Sequence, residues 1–339
     1  MQLDRREFLL SAARLAGTVG VAGAIASSVS CSSRSSERTQ SVILYTSADG
    51  EVADPILDTF TRETGIRVDA VRDTEATKTT GLVRRLLDER AVPKAHVFWS
   101  NEALAIARLQ REGMLRPLPD GLTHATLASR ARVIVFDTRM VARGTPPPTG
   151  LGELLSSALK GRIGIAKPQF GTTRAHVSAI RQVVGKERFA EWCKAMRDAG
   201  VRQYTGNSSV VRAVADGEIA VGLTDTDDVW AGKRNGWPVE MAYPRDAELV
   251  AAPILIPNTV ALIKNDAAPA NATRLVDFLR GESVERLMVE SELKHIPKHR
   301  ELQDKFPDRM PAGAAEPDWA ALDAVSDEAI SIWEQVVGI

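Results

Sequence analysis

From residue 41 onward, short β-type runs alternate with amphipathic helical segments, and this alternation restricts the fold more than any other feature. Strands are predicted at residues 41–45, 67–71 and 95–99, where β-forming residues cluster, and helices are predicted between them, where apolar residues recur at helical spacing. A strand–helix–strand order of this kind predicts a parallel sheet with helices on both faces.

A segment rich in glycine and proline at residues 144–150 interrupts this alternation, and the pattern then restarts. Further strands are predicted at residues 161–166, 218–224, 239–243 and 259–264, and a helix over residues 272–280 follows the last of them. About 300 residues remain after the first forty, which is enough for two lobes of ~150 residues each. The sequence therefore predicts an α/β protein with two lobes.

Residues 1–30 have the features of a twin-arginine export signal. Arg5 and Arg6 lie in the motif DRREFLL, and an apolar stretch rich in small residues follows it. Two processing outcomes stay open: cleavage near Ala26 would release a soluble protein, whereas acylation of Cys31 would leave residues 31–40 as a flexible tether. Either outcome predicts a periplasmic or otherwise extracytoplasmic protein.

Charge and cysteine content exclude several classes of protein. The chain has 43 Lys and Arg against 44 Asp and Glu, a formal net charge of −1, so no basic surface for nucleic acid is predicted. Its 2 cysteines, Cys31 and Cys193, form neither a disulfide framework nor a cysteine-based metal site. Cys193 lies in a predicted helix and is expected to be a small buried side chain.

Polar residues follow four of the predicted strands, where open α/β sheets bind their ligands. A strand-to-helix turn offers unpaired backbone N–H groups and the positive end of a helix dipole, which suit an anion, although simple helix capping uses the same residue types. Aromatic residues there could stack on an organic ligand or pack in the core. The predicted ligand-binding residues are Ser47, Trp99, Ser100, Thr172, Thr173, His176, Asn207, Ser208, Asp225 and Asp227.

A metal ion is the other ligand that these turns could hold. Asp225 and Asp227 are two residues apart at an extended strand end and would face the same side. With Asp228, and with Glu75 from a loop of the first lobe, they form a predicted oxygen-only set suited to hard cations. A solvated loop or a helix N-cap is the alternative interpretation of the aspartates.

Several segments, in this order along residues 41–299, resemble the ferric-iron type of extracellular solute-binding proteins. They include LYTS at 44–47, FTRETGI at 60–66, AHVFW at 95–99, GNSS at 206–209, GEIAVGL at 217–223 and IPNTVA at 256–261. The resemblance implies a type II periplasmic-binding-protein fold, in which each lobe is a mostly parallel sheet flanked by helices and two strands form the hinge. Lobe 1 would comprise residues 41–133 and 255–339, and lobe 2 residues 134–254.

The same resemblance implies the substrate-binding subunit of an ABC importer, a monomer that closes on a small solute and delivers it to a membrane permease. Iron-binding members usually have adjacent tyrosines after the strand equivalent to 218–223, but Asp227 and Asp228 stand there, and the chain has only 3 tyrosines. The expected ligand is therefore iron or another metal ion held by carboxylates, with no resident cofactor. A small anion or an organic solute such as a phosphonate is the alternative.

Two other classes of protein are weighed against a receptor. An exported enzyme would need a catalytic motif, and the sequence has no GxSxG elbow, GxGxxG fingerprint, P-loop or CxxC motif. A purely structural surface lipoprotein would not need four polar turns at strand ends. The sequence therefore predicts a binding protein and not an enzyme.

Overall fold

The computed structural model describes residues 41–73, 80–246, 249 and 252–338. The predicted export signal at residues 1–30, the predicted tether with Cys31, and the predicted metal ligand Glu75 lie outside the described residues. Among the helices that are described, none is long and apolar enough to span a membrane.

The first sheet is built around three parallel strands in the order β2–β1–β3. The apolar side chains of β1 and β3 are buried on both faces of the sheet, which is why these two strands have nearly continuous apolar runs, whereas the edge strand β2 is only partly buried. The strands of this part of the chain are β1 Val42–Thr46, β2 Val68–Arg72, β3 Val97–Ser100 and β4 Leu115–Arg116.

Two long antiparallel strands join this sheet to the second one. Strand β5 spans Ala125–Asp137, and strand β10 spans Leu255–Ile263. The first half of β5 pairs with β10, from Ala125 to Ala131, and its second half pairs with β8 in the second sheet, beginning at Arg132. One continuous strand therefore belongs to both sheets, and the chain crosses between them at residues 131–132.

The second sheet has the order β5–β8–β6–β7, with β9 on the other side of β5. Strands β6, β7 and β8 are parallel to one another. Buried apolar residues again lie on both faces. The strands are β6 Ile163–Ala166, β7 Arg202–Tyr204, β8 Val221–Asp225 and β9 Val239–Ala242.

Helices follow the strands closely, as an α/β fold requires. The longest helix, α5, contains a kink at Gly185, where φ is 82°. The described helices are α1 Gly50–Thr64, α2 Thr80–Asp88, α3 Leu104–Arg111, α4 Thr138–Ala142, α5 Gly171–Asp198, α6 Asn207–Ala215, α7 Thr226–Arg234, α8 Asn271–Leu279, α9 Glu282–Glu290, α10 Arg300–Lys305 and α11 Trp319–Val336.

The C-terminal helix α11 packs chiefly against α5, and Trp333 is fully buried in the core around that helix. It also contacts α3, because Asp323 pairs with Arg111 at 2.6 Å. Helix α11 therefore contacts both the segment predicted as lobe 2 and the segment predicted as lobe 1. The predicted lobe boundaries stay a prediction.

The predicted strands and helices agree with the structure to within a few residues. Strand β5, the longest of the described strands, was not among the predicted strands. Strand β10 begins at Leu255, four residues before the predicted strand at 259–264, because its first residues pair with β5. Cys193 is fully buried, and burial raises the pKa of its thiol to about 12.

A glycine in β8, Gly222, lets helix α6 approach the second sheet closely. Gly222 of β8 pairs in register with Gly164 of β6. A Cβ on Gly222 would lie 2.3 Å from Cγ1 of Val210 and 3.3 Å from the carbonyl oxygen of Gly164. Val210 is fully buried and β-branched, so it has few rotamers with which to move away. The glycine therefore sets the depth at which α6 sits on the sheet.

We expect Gly222→Ala to lower the free energy of unfolding by about 1–3 kcal/mol, because the added methyl group overpacks the contact with Val210. Urea denaturation of the variant measures the change. The matched test is Val210→Ala, which should cost less stability in the Gly222→Ala background than in the wild-type protein because it makes room for the methyl group. Equal costs in both backgrounds would contradict this packing argument.

Candidate functional site

A polar cleft of about 60 Å³ lies where the two sheets meet. Asp49 and Asn101 approach it from the turns after β1 and β3, and Arg130 approaches it from β5. The remaining lining comes from the starts of α5, α6 and α7 and includes Lys167 and Phe170. The carboxyl ends of strands from both sheets thus surround one small volume, as the sequence predicts.

The aspartates at the start of α7 are held in place by the strand that precedes them. Asp225 is the last residue of β8 and the residue before the first helical residue, yet its side chain makes no capping hydrogen bond. Asp225 and Asp227 are buried, and Asp228 is partly exposed. Oxygens of the three carboxylates lie within 4.8 Å of one another. The predicted grouping of Asp225, Asp227 and Asp228 is therefore present in the fold.

The carboxylate of Asp225 is fully engaged by neighbouring groups. Its Oδ1 accepts a hydrogen bond of 2.7 Å from Arg132, and its Oδ2 accepts bonds of 2.6 Å from the Thr172 hydroxyl and 3.0 Å from the Asn207 amide. Nε of Arg130 lies 3.2 Å from the same Oδ2. Burial raises the pKa of Asp225, but the two guanidinium groups outweigh it, and the pKa lies below its ordinary value.

Asp227 differs from Asp225 because only one of its oxygens is engaged. Oδ2 accepts a hydrogen bond of 3.0 Å from Nη1 of Arg130. Oδ1 is buried and has no hydrogen-bond partner among the residues that the structure describes. A buried carboxylate oxygen without a partner is costly, so this atom is the place in the cleft where a ligand would gain most.

Arg130 lies at the centre of the charged groups. Burial lowers its pKa, but Asp227, Asp225, Asp49 and Asp228 outweigh burial and raise the pKa above its ordinary value. The side chain of Arg130 is 6% exposed. It therefore stays charged and partly neutralises the aspartates around it.

His176 does not face the cleft. It is buried against Arg132, whose Nε donates a hydrogen bond of 3.2 Å to Nδ1 of the imidazole. Burial, and then the charge of Arg132, hold the pKa of His176 well below its ordinary value. The neutral imidazole therefore supports Arg132, and the predicted ligand-binding role is not supported by its position.

Three other predicted residues lie beside the cleft and not on its surface. Trp99 is fully buried in the core of the first sheet. The hydroxyl of Ser100 donates to the carbonyl of Glu102, and that of Ser47 donates to Oδ1 of Asn101 at 3.1 Å. The two serines therefore stabilise the turn that contains Asn101, while Trp99 is part of the hydrophobic core.

The predicted polar residues at the starts of α5 and α6 do line the cleft. They are Thr172, Thr173, Asn207 and Ser208. No cap residue of these two helices provides a side-chain hydrogen bond to the first turn. Hydrogen bonds among Thr172, Thr173 and Asn207 fix the two helix starts relative to each other.

Sequence reasoning missed Arg130 and Arg132, which organise the site. Their sequence signal is visible: two arginines, two residues apart, in a strand whose other positions from Val133 to Phe136 are apolar and buried. A buried charge is retained in such a strand only where it is paired. Asp49, Asn101 and Lys167 also line the cleft but are not among the predicted ligand-binding residues. Asp49 and Asn101 do lie in two of the polar turns predicted at strand ends.

The model of the bacterial extracellular solute-binding protein family matches residues 42–291. This chain belongs to that family. It is similar to the major ferric iron-binding protein of Neisseria meningitidis, with 29% identity over 197 residues, which is 54% of this chain and 57% of the relative. The match therefore spans little more than half the length of that relative.

Solved structures are similar over nearly their whole length. Iron-bound HitA from Pseudomonas aeruginosa has a TM-score of 0.72 at 20% identity, covering 87% of this chain and 99% of that one. AfuA from Actinobacillus pleuropneumoniae, with exogenous fructose-6-phosphate bound, has a TM-score of 0.71 at 16% identity, covering 88% and 98%. These similarities confirm the predicted type II periplasmic-binding-protein fold.

We expect Arg132→Met to lower the free energy of unfolding at pH 7 by about 3 kcal/mol, because it removes a charged partner of the buried Asp225 carboxylate. Arg300→Met is the matched control, since Arg300 and Asp304 are an exposed pair, and it should cost less than about 1 kcal/mol. Urea denaturation measures both changes.

The cost of Arg132→Met should also depend on pH. The depressed pKa of Asp225 stabilises the wild-type fold above the ordinary pKa of aspartate, and this stabilisation is lost as the pH falls through the lower folded-state value. The difference between wild type and variant should therefore shrink below about pH 4. If the difference between wild type and variant stayed constant below about pH 4, the effect could not be assigned to Asp225.

Proposed function

We propose that this chain is the extracytoplasmic substrate-binding subunit of an ABC importer and that it carries ferric iron in the cleft. One observation carries the proposal: Oδ1 of Asp227 is buried without a hydrogen-bond partner among the described residues, inside a cluster of aspartates. A cation would satisfy that oxygen. The names of the meningococcal relative and of iron-bound HitA support iron as the cation.

The contacts revise the roles within the predicted metal set. Both oxygens of Asp225 already accept hydrogen bonds, from Arg132, Thr172 and Asn207, so its carboxylate is less available to a metal ion than that of Asp227. In this proposal Asp227 and Asp228 are the direct ligands, and Asp225 is the anchor of the two arginines. Glu75 stays a proposed ligand from the first lobe, outside the described residues.

This iron site would contain no tyrosine. Tyr45 is buried and donates a hydrogen bond of 2.9 Å to Glu89, and Tyr204 donates one of 2.9 Å to Glu218. Burial, and then the neighbouring glutamate, raise the pKa of each phenol to about 12. Tyr243, the third, lies against the core of the second sheet and does not line the cleft. Carboxylates would thus take the place of phenolates.

Because residues of both sheets line the cleft, binding of a cation there would draw the two sheets together. Asp49 and Asn101 belong to the first sheet, and Asp227 and Asp228 belong to the second. A cation held between them stabilises the conformation in which the sheets approach, and the hinge strands β5 and β10 allow that movement. The closed form would deliver iron to a membrane permease, with the chain acting as an exported monomer that catalyses no reaction.

A small anion is the second candidate ligand, supported by a separate observation. The starts of α5 and α6 line the cleft without side-chain caps, and Lys167 lies beside them. Backbone N–H groups at helix N-termini and a lysine suit a phosphate or phosphonate group. AfuA, which shares the fold, has a sugar phosphate bound.

We expect the metal-free protein to bind one equivalent of iron supplied as ferric citrate, without a visible phenolate-to-iron absorption band. Asp227→Ala should weaken binding by at least about tenfold, or ~1.4 kcal/mol, because it removes the unpaired buried oxygen. Asp216→Ala is the control, because Asp216 pairs with Arg212 on the exposed end of α6. Equilibrium dialysis with elemental analysis measures the affinity, and absorption spectroscopy tests for the band.

Three results would contradict parts of the iron proposal. A wild-type protein that takes up no iron would exclude the cargo, and Asp227→Ala with unchanged affinity would exclude the site. A strong visible band would show that tyrosine reaches the metal, which is incompatible with the positions of Tyr45, Tyr204 and Tyr243.

The anion candidate has its own test by calorimetry with methylphosphonate and inorganic phosphate in metal-free buffer. If the cleft is an anion site, wild-type protein binds one of them and Lys167→Ala weakens that binding by about tenfold. Lys160→Ala is the control, since Lys160 is an exposed residue outside the cleft. Absence of binding by wild type would eliminate the candidate.

A further inference from the structure

We propose that Arg130 is a positioning residue that couples cargo capture to approach of the two sheets. Its guanidinium group holds Asp227 so that Oδ1 faces the cargo, and it ties Asp227 to the turn after β3 in the first sheet. The part that concerns cargo rests on the proposed function, whereas the link between the sheets does not.

The position of Arg130 in the hinge strand makes this coupling possible. Arg130 pairs in register with Ile256 of β10, and two residues later Arg132 pairs with Asp225 of β8. Arg130 thus lies one position before Ala131, the last residue of β5 that pairs with β10 before β5 enters the second sheet. Its backbone belongs to the first sheet, and its side chain reaches acceptors in the second.

The guanidinium group of Arg130 joins acceptors from both sheets. Nη2 donates a hydrogen bond of 2.9 Å to the carbonyl oxygen of Asn101, which follows β3. Nη1 donates one of 3.0 Å to Oδ2 of Asp227, and Nε lies 3.2 Å from Oδ2 of Asp225. Because the group is planar, the directions of its donors are fixed relative to one another.

This arrangement determines which oxygen of Asp227 is available. A carboxylate rotates readily about its last torsion angle, so an unrestrained Asp227 would exchange its two oxygens between the cleft and the protein. The bond from Nη1 holds Oδ2 in place, and Oδ1 is left buried and unpaired. Arg130 thereby fixes the orientation of the Asp227 carboxylate before a cation binds.

Lysine cannot reproduce the arrangement, because its ammonium group is a point charge without the fixed fork of a guanidinium. Arg130→Lys therefore separates charge from geometry. If charge alone matters, lysine restores the wild-type behaviour. If the fixed geometry of the guanidinium donors matters, Arg130→Lys loses the link between the sheets, as Arg130→Met does.

The first experiment needs no metal. Small-angle X-ray scattering of the metal-free protein should show a larger radius of gyration for Arg130→Met and for Arg130→Lys than for wild type, because the fixed fork that joins Asn101 of the first sheet to Asp227 of the second is lost. Arg300→Met, on the exposed helix α10, should match wild type. Unchanged dimensions in Arg130→Lys, with circular dichroism confirming that it is folded, would overturn the link between the sheets.

The second experiment is a double-mutant cycle on the binding of ferric citrate, using Arg130→Met, Asp227→Asn and the double variant. If Arg130 acts through Asp227, each single change weakens binding by about tenfold and the double variant is no weaker than the worse single one. Losses that simply multiply would show that Arg130 acts independently of Asp227 and would overturn the positioning role. Should Arg130→Met fail to fold, Arg130→Lys replaces it in the same cycle.

The two experiments fail in distinguishable ways. If wild type binds no iron, the proposed cargo is wrong, while the scattering result still decides whether Arg130 links the sheets. If wild type binds iron but the cycle is additive, the cargo stands and the positioning role of Arg130 is wrong.

Discussion

The rest of the structure depends on a buried network of two arginines and two aspartates at the point where β5 passes from one sheet to the other. Arg130 and Arg132 come from the hinge strand, Asp225 is the last residue of β8, and Asp227 lies in the first turn of α7. Burying four charges is costly unless each is paired and hydrogen bonded. Through Thr172 and Asn207 the network also contacts the starts of α5 and α6, and it thereby holds these helix starts and that of α7 around the cleft.

The same network makes the cleft less acidic than its sequence suggests. Four aspartates line it, but Arg130 lies among them and Arg132 directly behind Asp225. Both oxygens of Asp225 accept hydrogen bonds from neighbouring residues. In the proposed cation site, binding would therefore depend mainly on Asp227 and its neighbours. Such a site would offer carboxylate ligands and still have a small net charge. A small net charge lowers the electrostatic cost of closing the cleft when water is excluded from it.

The fold and the place of the site were predictable from the sequence, and the roles of single residues were less so. Strand ends identify the cleft because topology brings them together, whatever side chains they contain. The direction of a side chain depends on packing that no local pattern encodes, which is why Trp99 enters the core and His176 turns to Arg132. Arg130 and Arg132 were overlooked because long-range pairs across 93 to 97 residues have no local signature.

Replacing phenols by carboxylates changes how an oxygen-ligated metal competes with protons. A phenol ordinarily loses its proton near pH 10 and an aspartic acid near pH 4, about six pH units lower. At neutral pH a metal ion would have to displace protons from tyrosine ligands, whereas carboxylate ligands ordinarily have none to displace. Metal binding to a set of carboxylates would thus depend less on pH around neutrality than binding to phenols.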